Sequence, residues 1–514
     1  MGAEVRLLGL NDLHGHLTGR GLAYTDPYTG RTGPVGGVAT LAAMIRQRRR
    51  AYPNPTFVVH SGDMTGGSPA EAALLRDEPV IRVLNQLGML VGTPGNHEFG
   101  AGLGEFLRLV RGGNGFEGQN FPLVSANIMH RPTGRTLFPP YLVTAVGGIK
   151  IGFIGATVWF TPLLTSPGTV DDLDFLDEVD AVRACLPELR AQGVHAIVLL
   201  LHEGGHQQTL PGGTVSARVN EIAASLPEVG VVMAAHTHHS IHTYVGNTLV
   251  MQAAPFGRAF CDVRITLDPR TGRIATADGE LVPVWADGAA APDVAAIVDD
   301  ALAATAEVTG RVVAVSSRRL VSGRDGGATH AGESPLGNLL ADAMRATTGA
   351  DVAFTNPGGM RAAIPAGAVT WGDLFGVLPS GNDVISCTLT GAQLWELLAQ
   401  QRRHRFRRNL AVSGLHYRYR PHDEHGGEVI EIRLGPAGQR GKLIRPDANE
   451  RYRVAVNSFL AAGGDGYRAL LGGAEVVGHG SELGALVEYV ATLPSPFDAA
   501  IEDRIVCDRV AKII

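Results

Sequence analysis

Short apolar runs recur through the first half of the chain, and six of them end on compact polar clusters. Val5-Arg6-Leu7-Leu8-Gly9-Leu10 opens into Asn11-Asp12-Leu13-His14, and Thr56-Phe57-Val58-Val59 into His60-Ser61-Gly62-Asp63. Leu90-Val91 leads to Gly95-Asn96-His97-Glu98, and 196–201 to His202-Glu203. Val231-Val232-Met233-Ala234-Ala235 opens into His236-Thr237-His238, and Leu249-Val250-Met251 into Gln252. Between these runs the spacing of apolar residues predicts helices over 38–50, 69–87, 102–111 and 178–192. Further strands are expected over 122–126, 141–146 and 150–155. Strands alternating with helices imply α/β layers with helices packed on sheet faces. Ligands in such sheets bind beyond the carboxyl ends of the strands, so the polar clusters are expected to face one crevice.

Strand-like text continues over 260–267 and stops near Trp285, where the small, polar stretch 286–292 follows. A helix over 293–308 carries Val294, Ile297, Val298, Leu302 and Val308 at helical spacing. From Arg311 onward the pattern is α+β, with helices over 335–346, 390–401 and 481–492 and strands over 384–389 and 452–457. The expected organisation is a domain over 1–288, a linker helix over 289–310 that acts as a hinge, and a second domain over 311–514. A length of 514 residues suits more than one domain, and 45% hydrophobic residues supply the cores.

Composition narrows the chemistry. A net charge of −6 gives no global bias toward nucleic acid or acidic membranes. The basic run 402–408 follows a helical segment and reads as a solvated helix end whose cations suit the dipole. No apolar run approaches the roughly 20 residues that cross a bilayer. The sequence as given shows no charged leader or apolar signal segment, so no export signal is expected within it and the compartment stays open. Cys185, Cys261, Cys387 and Cys507 stand singly among apolar neighbours and read as buried small hydrophobes rather than ligands.

Ligand-type side chains concentrate at the strand ends. Asp12 and His14 are two apart, as are His236 and His238, and alternate residues at a strand end face the same side. Asp63 can bridge two cations through its two oxygens, Asn96 offers an amide oxygen, and His202 an imidazole. Oxygen and nitrogen ligands without thiolate suit Zn, Mn, Fe or Co. Seven candidates are too many for one tetrahedral ion and suit two ions about 3.5–4 Å apart, the arrangement that clamps the oxygens of a transferring phosphoryl group. His60, His206, His239 and His242 lie beside these motifs and are given structural roles.

With these motifs in order, the chain resembles the calcineurin-like metallophosphoesterases, and within them the 5'-nucleotidase/UDP-sugar hydrolase group. The family's DxH, GD, GNHE, H and GHTH motifs are matched by Asp12-Leu13-His14, Gly62-Asp63, Gly95-Asn96-His97-Glu98, His202 and Ala235-His236-Thr237-His238. The resemblance implies a four-layer α-β-β-α sandwich followed by a smaller α+β substrate-binding domain. It implies two divalent metal ions, one held by Asp12, His14, Asp63 and His238 and the other by Asp63, Asn96, His202 and His236. His97 would be catalytic, stabilising charge on the phosphoryl group or assisting the leaving oxygen. Ala235 replaces the family's glycine before HTH, and Gly100 replaces the Asp that commonly orients the motif histidine. The second departure points toward slower turnover or a better leaving group.

The second half resembles the group's nucleoside-binding domain in Glu333–Asn338, Asn356–Arg361 and Asn457–Tyr467. By resemblance Asn356, Arg361, Phe459 and Asp465 would bind substrate: Arg361 the phosphate, Asp465 the ribose, Phe459 the base. Ser380 stands where the family carries a second aromatic wall, and Phe375 or Tyr467 would have to replace it. The expected activity is metal-dependent hydrolysis of nucleotide phosphate esters. A 2',3'-cyclic nucleotide phosphodiesterase/3'-nucleotidase is the alternative, which Gly100 favours. Release of sulfate or of a non-nucleotide phosphate, and nucleotide binding without catalysis, rank lower. The implied partners are a small-molecule nucleotide with no nucleic acid and no membrane, in a monomer or dimer, and the family's habit is extracytoplasmic.

Overall fold

The computed structural model describes residues 3–508 except 114, 324–325, 404–408, 423–425, 437, 439–440 and 448. The chain divides into two compact units, Met1–Ala304 and Thr305–Ile514, and the helix Pro292–Thr309 runs through the division.

Two sheets form the centre of the first unit. One orders its strands Ile274–Pro283, Ala259–Leu267, Ala3–Leu10, Thr56–His60, Met89–Gly92; the last three are parallel. The other runs Ile241–Val245, Thr248–Gln252, Val229–Met233, Ala196–His202, Ile149–Thr157, Tyr141–Val146, with its four inner strands parallel. Strand 196–202 shows how the layers arise. Val198 and Leu200 enter the core between the sheets with Leu7, Val59 and Val231, while Ile197, Leu199 and Leu201 pack on the outer core with Val182, Leu186 and Ile222. Burial on both faces explains why this strand reads as a continuous apolar run. A third core holds Leu8, Val58, Leu41, Ile45, Leu84 and Phe106 between the first sheet and its helices. The architecture is the four-layer α-β-β-α sandwich.

Two local expectations fail in this unit. The helical pattern over 69–87 is broken into Ala70–Ala73 and Glu78–Leu87, because Arg76 and Asp77 take left-handed φ of 54° and 57°. Asp77 there accepts the Gly66 N–H at 3.0 Å, and Pro79 suits only the first turn of the second helix. Residues 122–126 form no strand. Val124 N–H donates to Gly92 O and Ala126 N–H to Gly155 O, so the segment divides its hydrogen bonds between the two sheets, and a strand forms only at Ile128–His130.

The second unit is α+β. Its five-stranded sheet runs Ala411–Ser413, Val352–Thr355, Arg451–Asn457, Asp383–Thr390, Ala474–Ser481, with a separate sheet Gly426–Leu434, Leu415–His422, Ile505–Cys507. Alternation divides it too. Ala353 and Ala455 pack with the helices Pro335–Thr348 and Glu482–Thr492, and Phe354 and Val454 with the helix Gly391–Arg403 and Tyr417. Arg402 departs from the solvated reading: its guanidinium lies 3.5 Å from the Tyr419 ring centroid and donates to Asn409. Residues 404–408 of the basic run lie outside the described residues. Cys185, Cys261 and Cys387 are buried as expected, whereas Cys507 is half-buried because its strand lies at the edge of the small sheet.

Candidate metal centre

The loops that leave the strand ends are not extended. Asp12, His14, Asp63, His236 and His238 have φ of 49°, 46°, 54°, 73° and 59°. The expectation that alternate extended residues bring Asp12 and His14 to one side is therefore wrong in its geometry, although the two side chains do converge. Each left-handed residue costs about 1 kcal/mol, and such strain persists where surrounding structure over-determines it. Here the Asp12 and His14 N–H groups donate to Gly62 O and Asp63 O, and Phe256 N–H donates to Asp12 O. The His236 N–H donates to both Asp12 carboxylate oxygens at 3.0 and 3.1 Å, and Asn11 Nδ2 donates to Oδ2 at 2.8 Å.

The side chains meet in two groups that share Asp63. One ligand atom from each of Asp12, His14, Asp63 and His238 lies within 4.8 Å of the others, and the same holds for Asp63, His202 and His236. Asn96 Oδ1 joins the second group, 3.0 Å from His236 Nδ1 and 3.2 Å from His202 Nε2. Carbonyls fix two tautomers: His14 Nδ1–H donates to Gly66 O at 2.8 Å, and His202 Nδ1–H to Ser61 O at 2.7 Å. Their Nε2 lone pairs then face Asp63 Oδ2 at 3.4 and 3.2 Å. Converging lone pairs, with Asp12, His14 and His202 fully buried, demand positive charge between them. Imidazole, carboxylate and amide oxygen suit a borderline divalent cation, and the carbonyl-oriented histidines are the outer support such a site needs. The residues present fit the metals that the fold implies.

Electrostatics agree. Burial pushes the Asp12 carboxyl up to about 7, with His202 opposing and Asp63 adding to the shift. Burial also opposes the charge on Asp63, but His202, His97 and His14 outweigh it and hold the carboxyl well below the usual range. His202 rises to about 10: burial works against its charge and the Asp63 carboxylate prevails. A proton there does in part what a cation would do.

Glu98, in the motif but without a role assigned from sequence, organises this loop. Its buried carboxylate accepts N–H groups of Gly95 at 2.6 Å, Met64 at 2.7 Å, Asp63 at 2.9 Å and Thr65 at 3.2 Å. Two glycines are needed for space. A Cβ on Gly95 would lie 2.2 Å from Asp63 Oδ1, and one on Gly62, at φ +92°, would lie 2.5 Å from Gly95 N and 2.7 Å from His202 Nδ1. His97 donates its backbone N–H to Asp63 Oδ1 at 2.8 Å, and its ring stands 4.7 Å from that of His14, edge-on. His60, His206, His239 and His242 take no part in either ligand group. Burial holds His60 near 3, hence neutral, and it accepts the Gly62 N–H.

In the second unit Asn356 and Asp465 come together, with Asn356 Nδ2 donating to Asp465 Oδ2 at 2.9 Å. Asn356 Oδ1 accepts from Asn457 Nδ2 at 3.0 Å, and Asn457 also donates to Glu482 Oε1 at 3.3 Å. Burial pushes the Glu482 carboxyl up to about 7. Neither Asn457 nor Glu482 was singled out individually; Asn457 sits in a matched motif, but nothing near Glu482 in sequence marks it. Phe459 is half-buried against the core, and Arg361 is half-buried with its N–H on Val377 O. Ser380 is exposed, Tyr467 is buried in the core, and Phe375 lies 5.2 Å from the Trp371 ring.

Comparison with known proteins assigns both halves. Residues 5–240 match the calcineurin-like phosphoesterase family and residues 309–472 the 5'-nucleotidase C-terminal domain. A Bacillus subtilis (strain 168) protein named Endonuclease YhcR is 33% identical over 98% of this chain, which spans 41% of that protein. The Listeria monocytogenes (strain EGD-e) Cell wall protein Lmo0130 is 32% identical over 90% of this chain and 64% of its own length. The chain thus spans less than two thirds of either relative. The crystal structure of a 5'-nucleotidase precursor from Thermus thermophilus superimposes with a TM-score of 0.83 at 28% identity, covering 98% of this chain and 99% of that one. With both domain models matched in order and the fold shared along the chain, the protein belongs to the 5'-nucleotidase family, a calcineurin-like phosphoesterase domain followed by a 5'-nucleotidase C-terminal domain.

Proposed function

We propose that this chain hydrolyses phosphate esters of nucleotides at a dinuclear metal centre. The observation that carries the reading is the pair of ligand groups sharing Asp63. In this reading Asp12, His14, Asp63 and His238 hold one divalent ion, and Asp63, Asn96, His202 and His236 hold the other. Bound cations would supply the charge that polarises a phosphoryl group and favours deprotonation of an attacking water. His14 and His202 keep their Nε2 lone pairs inward because Gly66 O and Ser61 O take their Nδ1 protons. Glu98 holds the Asp63 loop in register. His97, beside His14, donates to the phosphoryl or leaving oxygen. Asn356 and Asp465 present polar atoms to the sugar, Phe459 stacks on the base, and Arg361 binds phosphate. The name of the Thermus relative supports a nucleotide substrate.

A second reading, 2',3'-cyclic nucleotide phosphodiesterase/3'-nucleotidase, is favoured by Gly100 in place of the orienting Asp. The relative named an endonuclease adds phosphodiesters to the substrates worth assaying. An extracytoplasmic location is supported by the relative named a cell wall protein; among the described residues no helix is long and apolar enough to cross a membrane.

The test is phosphate release with Mn²⁺, Co²⁺ or Zn²⁺ from AMP, UDP-glucose, 2',3'-cyclic AMP and p-nitrophenyl phosphate, with bound metal measured in parallel. Metal-dependent turnover of AMP or UDP-glucose, abolished by chelation, is expected. Preference for the cyclic nucleotide selects the second reading. A protein that takes up no metal and cleaves none of these overturns both.

A further inference from the structure

Two aromatic side chains beside the centre have no role in that reading. Trp159 and Phe160 follow the carboxyl end of strand Ile149–Thr157, which runs parallel to the His202 strand with Thr157 paired to His202. The Phe160 ring stands edge-on to His236 with centroids 6.1 Å apart, and Trp159 lies a further 5.7 Å from Phe160. The rings form a contact series from His236 through half-buried Phe160 to exposed Trp159, each pair edge-on. Trp159 is 46% exposed, a large apolar area to leave in water beside a polar centre.

Hydrogen bonds fix the turn that carries these rings. The Trp159 N–H donates to the fully buried Glu178 at 2.9 Å, and Glu178 is held in turn by Arg218 at 3.0 Å. The Val158 N–H donates to His202 O at 3.0 Å, and Thr161 Oγ1 closes the turn on Val158 O at 2.7 Å. An exposed indole on a turn whose backbone is fixed by a buried carboxylate and tied to a ligand residue is a pre-set stacking surface. Stacking on such a ring is tolerant of base identity because every base offers a π-face.

Resting on the function proposed above, we propose that Trp159, braced edge-on by Phe160, is a platform for a flat aromatic group carried on the second ester of the phosphate, so that the site accepts phosphodiesters with a nucleoside on each side. The ligand class is a dinucleoside monophosphate.

The test compares the full chain loaded with Mn²⁺ as wild type, Trp159→Ala and Trp159→Phe, on a dinucleoside monophosphate and on AMP. In W159A the KM for the dinucleotide is expected to rise about tenfold, the size of one lost base–aromatic stack, and several times more than the KM for AMP. W159F, which keeps a ring, recovers most of the loss. Equal changes for both substrates, or none for the dinucleotide, overturn the platform. Binding is read separately from Trp159 fluorescence, taken as wild type minus W159F, during titration with the dinucleotide. If neither substrate is cleaved the function proposal fails by itself. Quenching of Trp159 then still supports the platform, and its absence overturns it.

Discussion

Glu98 is the residue on which the Asp63 loop depends. Burial and the Asp63 charge push the Glu98 carboxyl up to about 7, and the four N–H groups it accepts from buried backbone favour its charged form; a hydrogen bond to that form contributes about 1.5–3 kcal/mol. Glu98→Gln keeps the volume but turns an NH₂ toward donors. It should lower the metal-free protein's unfolding free energy by roughly 2–4 kcal/mol and weaken metal uptake about 10–100-fold, as loss of an outer-shell partner does. Denaturant unfolding and metal titration check this; unchanged values for both would remove Glu98 from the centre. His202 shows why the outer partners matter: its proton on Nδ1 is placed by Ser61, 141 residues away in sequence.

At the scale of elements, the strand-end turns are shaped by what they must pass. Gly62 and Gly102 share nearly the same φ, +92° and +90°, but a Cβ on Gly62 meets Gly95 and His202, while one on Gly102 meets nothing within 4 Å. Substitution by Ala costs about 1–3 kcal/mol at either site from the positive-φ backbone alone. Gly62→Ala should cost about 1–3 kcal/mol more from overpacking, and lose metal affinity that Gly102→Ala retains. Equal losses of stability would show that conformation, not space, selects the Gly62 glycine. The same competition explains the broken pattern over 69–87, where periodicity predicts one helix but Asp77 turns to accept from Gly66. It also explains 122–126, a strand-like run whose partners lie on two sheets.

At the scale of the molecule, pH reaches the second unit through a group remote in sequence from every candidate ligand. Burial pushes the Glu482 carboxyl up to about 7 against an ordinary 4.5, and the neutral donors Asn457, Asn382 and Thr355 oppose the shift without cancelling it. The folded state therefore keeps a proton that the unfolded chain releases. Its contribution is fully present below pH 4.5 and lost as pH rises through about 7, at most roughly 3 kcal/mol. Wild type should lose stability between pH 5 and 7.5, and Glu482→Gln should flatten that slope in urea unfolding series. An identical slope in the variant would refute the assignment. The apolar runs and the ligand-type residues that follow them were legible from the sequence. Alternation and strand ends are local properties, and a parallel sheet delivers its carboxyl ends to one edge whatever the loops do. The left-handed turns, the histidine tautomers, the support from Glu98, the Asn356–Asn457–Glu482 chain and the exposed Trp159 were decided only by the tertiary structure. Each depends on a neighbour brought close through space, by burial and hydrogen-bond satisfaction that no local pattern records.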